Sequence, residues 1–409
     1  MSMNPRNEDF ERLALRWSEA APTFSSYATM VEAITAFPER YVRERDKLPQ
    51  NDSDRAFGLM ARAAQIIDRS IVLADSEQAA ASMAQQAASL LDEALKLDPT
   101  CYDARRISRY MARPTRDEMV VFLADAADDV RAGCLAVARE NHMVPPDGHW
   151  SLSVYARPYL RWLLDLANEQ LGCGRYRRAL ETCHTLLDLD NDDLVGARHV
   201  AAYVCVKLED AEGLAELIGR YPQDTNAWFM LARCCMAYKQ RRLDDAASLL
   251  HRIVRQFPSA GCTLTYQDEL PPGVFGHLEY EDGTADELYV AVSEAAVILD
   301  ENCGDYMSPL SDWIARDAVV NEARMAEEAR SELERPRERE RTASPRTPRP
   351  PAPADLDPDA LAFADITCVD DLLAAIQAPP TFPDATAPGS SLSSSGEAPQ
   401  DPNAPTQGR

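Results

Sequence analysis

Chemistry needs the right side chains at the right spacing, and this chain offers few such groupings. Cys173, Cys183 and His184 come nearest to a metal cluster, but Cys183 and His184 point in divergent directions on one helix and no second close pair joins them. No metal or other cofactor is expected. The ten cysteines, at 101, 134, 173, 183, 205, 234, 235, 262, 303 and 368, contain no CxxC pair and fall mostly on apolar helix faces, so they read as free core thiols. Gly172-Cys173-Gly174-Arg175 lacks the spacing and the Lys-Ser/Thr ending of a phosphate loop, and its glycines serve a turn. His142 and His149 flank Pro145-Pro146 beside Asp147, where a surface loop accounts for them. The acidic pairs at 128–129, 192–193 and 244–245 are expected at helix ends or turns, where carboxylates favour helix N-termini. No nucleophile with a base and no pair of acids in a pocket emerges, so the chain is not expected to be an enzyme. The one stretch that keeps an enzymatic alternative open is 261–285, for its Gly, Pro and Glu-Asp content.

The elements that must position any site are helical. From Arg157 to Asp192 the apolar residues Leu160, Leu163, Leu164, Ala167 and Leu171 recur at three-and-four spacing. Gly172 and Gly174 break the run, and Tyr176, Ala179, Leu180, Cys183, Leu186 and Leu187 restart it. This antiparallel helix pair has imperfect copies on both sides. Ala87, Leu91 and Ala94 repeat the positions of Ala179, Cys183 and Leu186, and that copy ends at Asp98-Pro99. Residues 102–141 supply two further helices separated at Arg113-Pro114. Residues 194–222 form a shortened pair with its turn at Glu209-Asp210. Residues 226–258 form the clearest sister copy, with Trp228, Leu231, Ala232, Ala246, Leu250 and Pro258 in register and a two-residue insertion between Lys239 and Arg242. Three consecutive units suffice to bury a continuous core.

Composition agrees. The 409 residues are 45% hydrophobic but only 7% aromatic, and a formal charge of -25 disfavours a broad nucleic-acid or anionic-membrane surface. There is no run of about 18 apolar residues, and the start MSMNPRNEDFERL has no signal-peptide pattern, which reads as cytoplasmic.

The expected organisation has four parts: a helical cap or arm over 1–50, helical repeats over 51–260, an irregular segment with capping helices over 261–334, and a disordered Pro/Arg/Ser-rich tail over 335–409. Within the tail, 357–377 is an apolar island with Leu361, Phe363, Ile366, Val369, Leu372, Leu373 and Ile376, suited to docking as a short helix on a partner or on the chain's own groove. An adaptor autoregulated by that island is the alternative to a plain scaffold.

The central pair resembles the tetratricopeptide repeat, with its small residue, Gly, Tyr, Ala and closing loop at Ala167, Gly174, Tyr176, Ala179 and Asp190. It has Leu163, Gln170 and Asn191 where the family usually has Trp, Tyr and Pro. Over roughly 157–315, the order of LPPG, turn, acidic helix start and Trp is similar to bacterial repeat proteins related to the suppressor of tumorigenicity 7 family, which implies only a fold. The tetratricopeptide resemblance implies an all-α solenoid whose first helices line a concave, peptide-binding face. Its inward positions fall on Arg161, Asn168, Arg198, His199, Asn226, Phe229 and Arg233, where arginine forks and amide donors would grip a peptide carboxylate or acidic side chains. Leu164 stands where the family's carboxylate clamp has Lys, and Asn168 alone matches that clamp. The function so implied is a non-enzymatic scaffold for a protein or peptide partner.

Overall fold

The computed structural model describes residues 4–20, 27–222, 225–270, 273–275, 280–299 and 307–343. All belong to the compact unit Met1–Ile366; a second unit, Thr367–Arg409, lies outside the described residues, as does the whole island from Leu361 to Ile376.

The described chain is all-α, an array of antiparallel helix pairs. α1 (Pro5–Ala20) and α2 (Tyr27–Glu44) precede five pairs: α3 (Asp52–Gln65) with α4 (Glu77–Leu97), α5 (Tyr102–Met111) with α6 (Arg116–Glu140), α7 (Arg157–Gly172) with α8 (Tyr176–Leu189), α9 (Ala197–Leu208) with α10 (Ala211–Arg220), and α11 (Ala227–Lys239) with α12 (Leu243–Gln256). α13 (Ala260–Tyr266), α14 (Ala285–Glu294), α15 (Ala296–Leu299), α16 (Pro309–Arg316) and α17 (Ala318–Ala343) follow. The first helices α3, α5, α7, α9 and α11 pack neighbour on neighbour as one layer, and α4, α6, α8 and α10 fill in behind, each against the next first helix. α17 runs on as helix past position 335 to Ala343, beyond the expected start of the tail.

Local chemistry explains the starts and stops. Asn51 and Asp54 form a reciprocal capping box on α3, and Thr115 and Glu118 form another on α6. Asp210, Asn226, Thr284 and Ser308 cap α10, α11, α14 and α16. Three successive pairs turn in the same way. Gly174, Glu209 and Arg241 each take a left-handed φ of 74°, 56° and 59°. The following N–H then reaches back five residues, from Arg175 to Gln170, Asp210 to Cys205 and Arg242 to Ala237, at 2.8–2.9 Å. The repeat is therefore present in backbone geometry even where its glycine is missing.

The packing repeats too. Ala179, Cys183 and Leu186 on α8 are sealed as completely as Ala87, Leu91 and Ala94 on α4 and Ala246, Leu250 and Ile253 on α12. Trp162 lies fully buried and donates its indole N–H to the Leu123 carbonyl at 2.8 Å, tying α7 to α6. Of the acidic pairs, Asp244-Asp245 opens α12, but Asp128-Asp129 sits exposed inside α6 rather than at a helix end. A helix face that stays in water tolerates carboxylates anywhere along its length.

Candidate functional site

The first-helix layer is covered by the chain's own segments. α1 packs on α3, α14 on α11 and α15 on α9, while Val274 and Phe275 pack against the core of α3, α4 and α5. The seven residues expected along this layer therefore occupy three different environments.

Arg161 is the centre of a buried ionic cluster. Its Nε and Nη2 donate to both oxygens of Asp103 on α5 at 2.9 and 2.5 Å, and its Nη1 and Nη2 donate to Glu8 on α1 at 2.8 and 3.2 Å. Arg106 bonds Asp103 at 3.1 Å and also Asp165, while Arg12 bonds Glu8 at 3.1 Å. Burial alone would raise both acids, but Arg161 outweighs it: the Asp103 carboxyl is held at about 2 and Glu8 below its ordinary value. In-plane bonding consumes the edge of the guanidinium and leaves its flat faces. The Phe275 ring covers one of them, 4.0 Å from the Arg161 carbon, and meets Phe57 at 6.3 Å and 75°.

His199, Asn226 and Phe229 are brought together at the start of α11. His199 stacks on Trp228 with centroids 4.3 Å apart, and Asn226 Nδ2 donates to its Nε2 at 3.0 Å. The Asn226 side-chain Oδ1 accepts the Phe229 N–H at 2.9 Å, and Phe229 is buried. Glu287 of α14 accepts the Ala227 N–H at 2.7 Å, so α14 completes the cap of α11. Arg198 is half-buried and paired with Asp193 at 2.9 Å. Only Asn168 and Arg233 of the seven are exposed. The arginine row expected to face a ligand is thus divided: Arg161 and Arg198 are committed to carboxylates of this chain, and Arg233 faces solvent.

The remaining sequence candidates separate. Cys183 is buried and His184 exposed, and no group of three or more His, Cys, Asp and Glu placed to hold a metal occurs among the described residues. His149 pairs with Asp192 at 3.0 Å rather than with Asp147, because Gly148 and Asn191 join the two loops through a 2.7 Å backbone bond. Eight cysteines lie within the described residues, all free, and burial pushes the thiols of Cys101, Cys134 and Cys205 up to about 12. In the 261–285 stretch, Gly261 and Cys262 N–H groups bond Glu327 at 3.1 and 2.8 Å, and Phe275 is 1% exposed, so both parts are spent on packing.

A cleft of about 810 Å³ opens between residues 41–47, α3 and α4. Its charges are mixed and partly self-neutralised: Arg45 holds Asp9 at 2.6 Å and Lys47 holds Glu44 at 2.9 Å. No helix among the described residues is long and apolar enough to cross a membrane.

Asp68 is a half-buried carboxylate that sequence reasoning passes over. It lies in a π-helical turn, Ile66–Ser70, closed by the Ile71 N–H bonding the Ile66 carbonyl at 3.0 Å. The turn interrupts α3's register and aims a carboxylate at the 273–275 segment, where Asp68 Oδ1 accepts the Val274 N–H at 2.8 Å. Burial pushes Asp68 up to about 6, against the pull of the Val274 and Phe275 N–H groups and of Arg106 and Arg69. A carboxyl raised in the folded state stabilises below its unfolded pKa and loses that contribution as pH rises through the folded value. Asp68→Asn keeps an acceptor without the charge. Its melting temperature relative to the native chain is therefore expected to rise between pH 4 and 7, by the equivalent of about 1–2 kcal/mol after screening. A constant offset across that range would refute the charge argument.

Models of known protein families, curated proteins and solved structures yield no match to this chain.

Proposed function

We propose that the protein is a non-enzymatic intracellular scaffold or adaptor whose first-helix layer binds a peptide or partner protein, in the manner its resemblance to tetratricopeptide repeats implies. The observation that carries this reading is that the layer already holds a non-helical piece of its own chain, residues 273–275, by the Val274 N–H bond to the Asp68 carboxylate and one aromatic anchor. A surface that accepts its own chain this way has the chemistry to accept another. Asn168 and Arg233 are the two expected groove residues left in solvent and supply polar contacts there.

The test is affinity capture with the full chain, compared with Asn168→Glu/Arg233→Glu. Both positions are exposed, so circular dichroism should be unchanged. The expected result is a captured partner whose recovery falls about tenfold with the double variant; identical recovery from both would place binding elsewhere.

A further inference from the structure

Phe275 packs against residues remote from it in sequence, and the Val274–Asp68 bond beside it closes 206 residues. What receives it is unusual in composition. The floor is the flat face of Arg161, whose in-plane bonds to Glu8 and Asp103 lock it rigidly, and the wall is the Phe57 ring. A π-turn, a geometry found mostly at functional positions, supplies the carboxylate beside them. On the side of the inserted segment, the bond from Val274 to the Asp68 carboxylate uses only a backbone N–H, so it reads no side chain there. Selectivity is left to the aromatic seat.

We propose that Asp68, Phe57 and the face of Arg161 form a peptide socket, occupied in this structure by the chain's own residues 273–275, that takes in trans a non-helical protein segment bearing an aromatic side chain in place of Phe275. The residue ahead of the aromatic donates its N–H to Asp68, and the ring lies on Arg161. The internal segment acts as a competitor tethered to the same chain, which keeps weak ligands out. This inference rests on the scaffold reading and gives it a ligand class.

The probe is a fluorescein-labelled decapeptide of residues 270–279, LPPGVFGHLE, with a second peptide carrying Ala for Phe, titrated by anisotropy against the full chain, native and Phe275→Ala. Phe275→Ala is expected to bind the Phe peptide about tenfold or more tightly than the native chain does, and by a similar factor over the Ala peptide. Adding Asp68→Ala to Phe275→Ala should reverse the gain. A folded Phe275→Ala chain that does not prefer the Phe peptide would overturn the proposal and leave Phe275 as core. Should Phe275→Ala lose helical content, Phe275→Leu keeps an apolar plug with a weaker hold on Arg161, and the same peptide preference decides. The outcome is separable from that of the capture experiment: the socket peptide reports on Asp68 and Arg161, whereas the capture variants lie at Asn168 and Arg233.

Discussion

Arg161→Met should destabilise the folded chain by about 3–5 kcal/mol, the usual cost of removing one partner from a buried ion cluster. Methionine fills the space of the side chain but leaves Glu8 and Asp103 buried beside the vacated guanidinium. Arg12 and Arg106 still reach one carboxylate each, which is why the cost is not larger. The sign with pH follows from the lowered carboxyls. Asp103 and Glu8 contribute stability that is present above their unfolded values and is lost as pH falls through the depressed folded ones. Without Arg161 both acids take up protons more readily, so the deficit should shrink as the pH is lowered toward 4. Thermal melts of both chains at pH 7 and pH 4 check this. Combining Arg161→Met with Glu8→Gln and Asp103→Asn should recover most of the loss, because neutral amides tolerate burial far better than unpaired charge. A deficit below about 1 kcal/mol at pH 7 would mean that Arg161 neutralises nothing essential.

Gly261→Ala is the second substitution expected to act strongly. A methyl group at 261 would stand 2.2 Å from the Arg324 nitrogen and 2.6 Å from the Ala323 carbonyl carbon, both backbone atoms of α17. Backbone cannot rotate aside as a side chain can, so the helices must separate. Helix propensity argues the other way, favouring Ala by about 1 kcal/mol. Overpacking against a fixed backbone costs about 1–3 kcal/mol, and separation would also stretch the Glu327 bonds to the Gly261 and Cys262 N–H groups. The net expectation is a loss of about 1–2 kcal/mol concentrated in α17. Faster tryptic cleavage after Arg324, with the α7–α12 region still protected in hydrogen exchange, is the predicted signature; unchanged cleavage would contradict so close an approach.

The helical repeat was legible because its signal is periodic and local. Ala179, Cys183 and Leu186 announce a buried face, and the same spacing at Ala246, Leu250 and Ile253 identifies its copy. Gly174 likewise announces its turn. At Glu209-Asp210 and between Lys239 and Arg242 the pattern also places a turn, but nothing in the residue types signals the left-handed backbone of Glu209 and Arg241, because the returning hydrogen bond holds them there against their intrinsic preference. The candidate site was legible only in part. Arg161 stands out by its place on α7, but its partners Glu8 and Asp103 lie 153 and 58 residues away, and no periodicity links them. Asp103 does carry a faint signal: it precedes Arg106 by one helical turn in a polar helix that nevertheless has to pack. Phe275 offers less, an apolar Val-Phe step inside a stretch of Gly, Pro and acids. The segments that cover the first-helix layer could not be foreseen from helix periodicity, because a periodic pattern shows which face is apolar and not what comes to lie on it.

The ties from Glu8 to Arg161 and from Val274 to Asp68 have a consequence for how the array comes apart. A linear stack of repeats, each touching only its neighbours, can peel from either end while the middle persists. Here the first helix grips the third pair, and a late segment grips the first. Such closures are slow to form, since widely separated stretches must meet before either is rewarded. Once made, they remove the free ends from which peeling begins. The chain from α1 to Phe275 should accordingly melt as a single cooperative block, with one transition where an untied stack of the same length would show several.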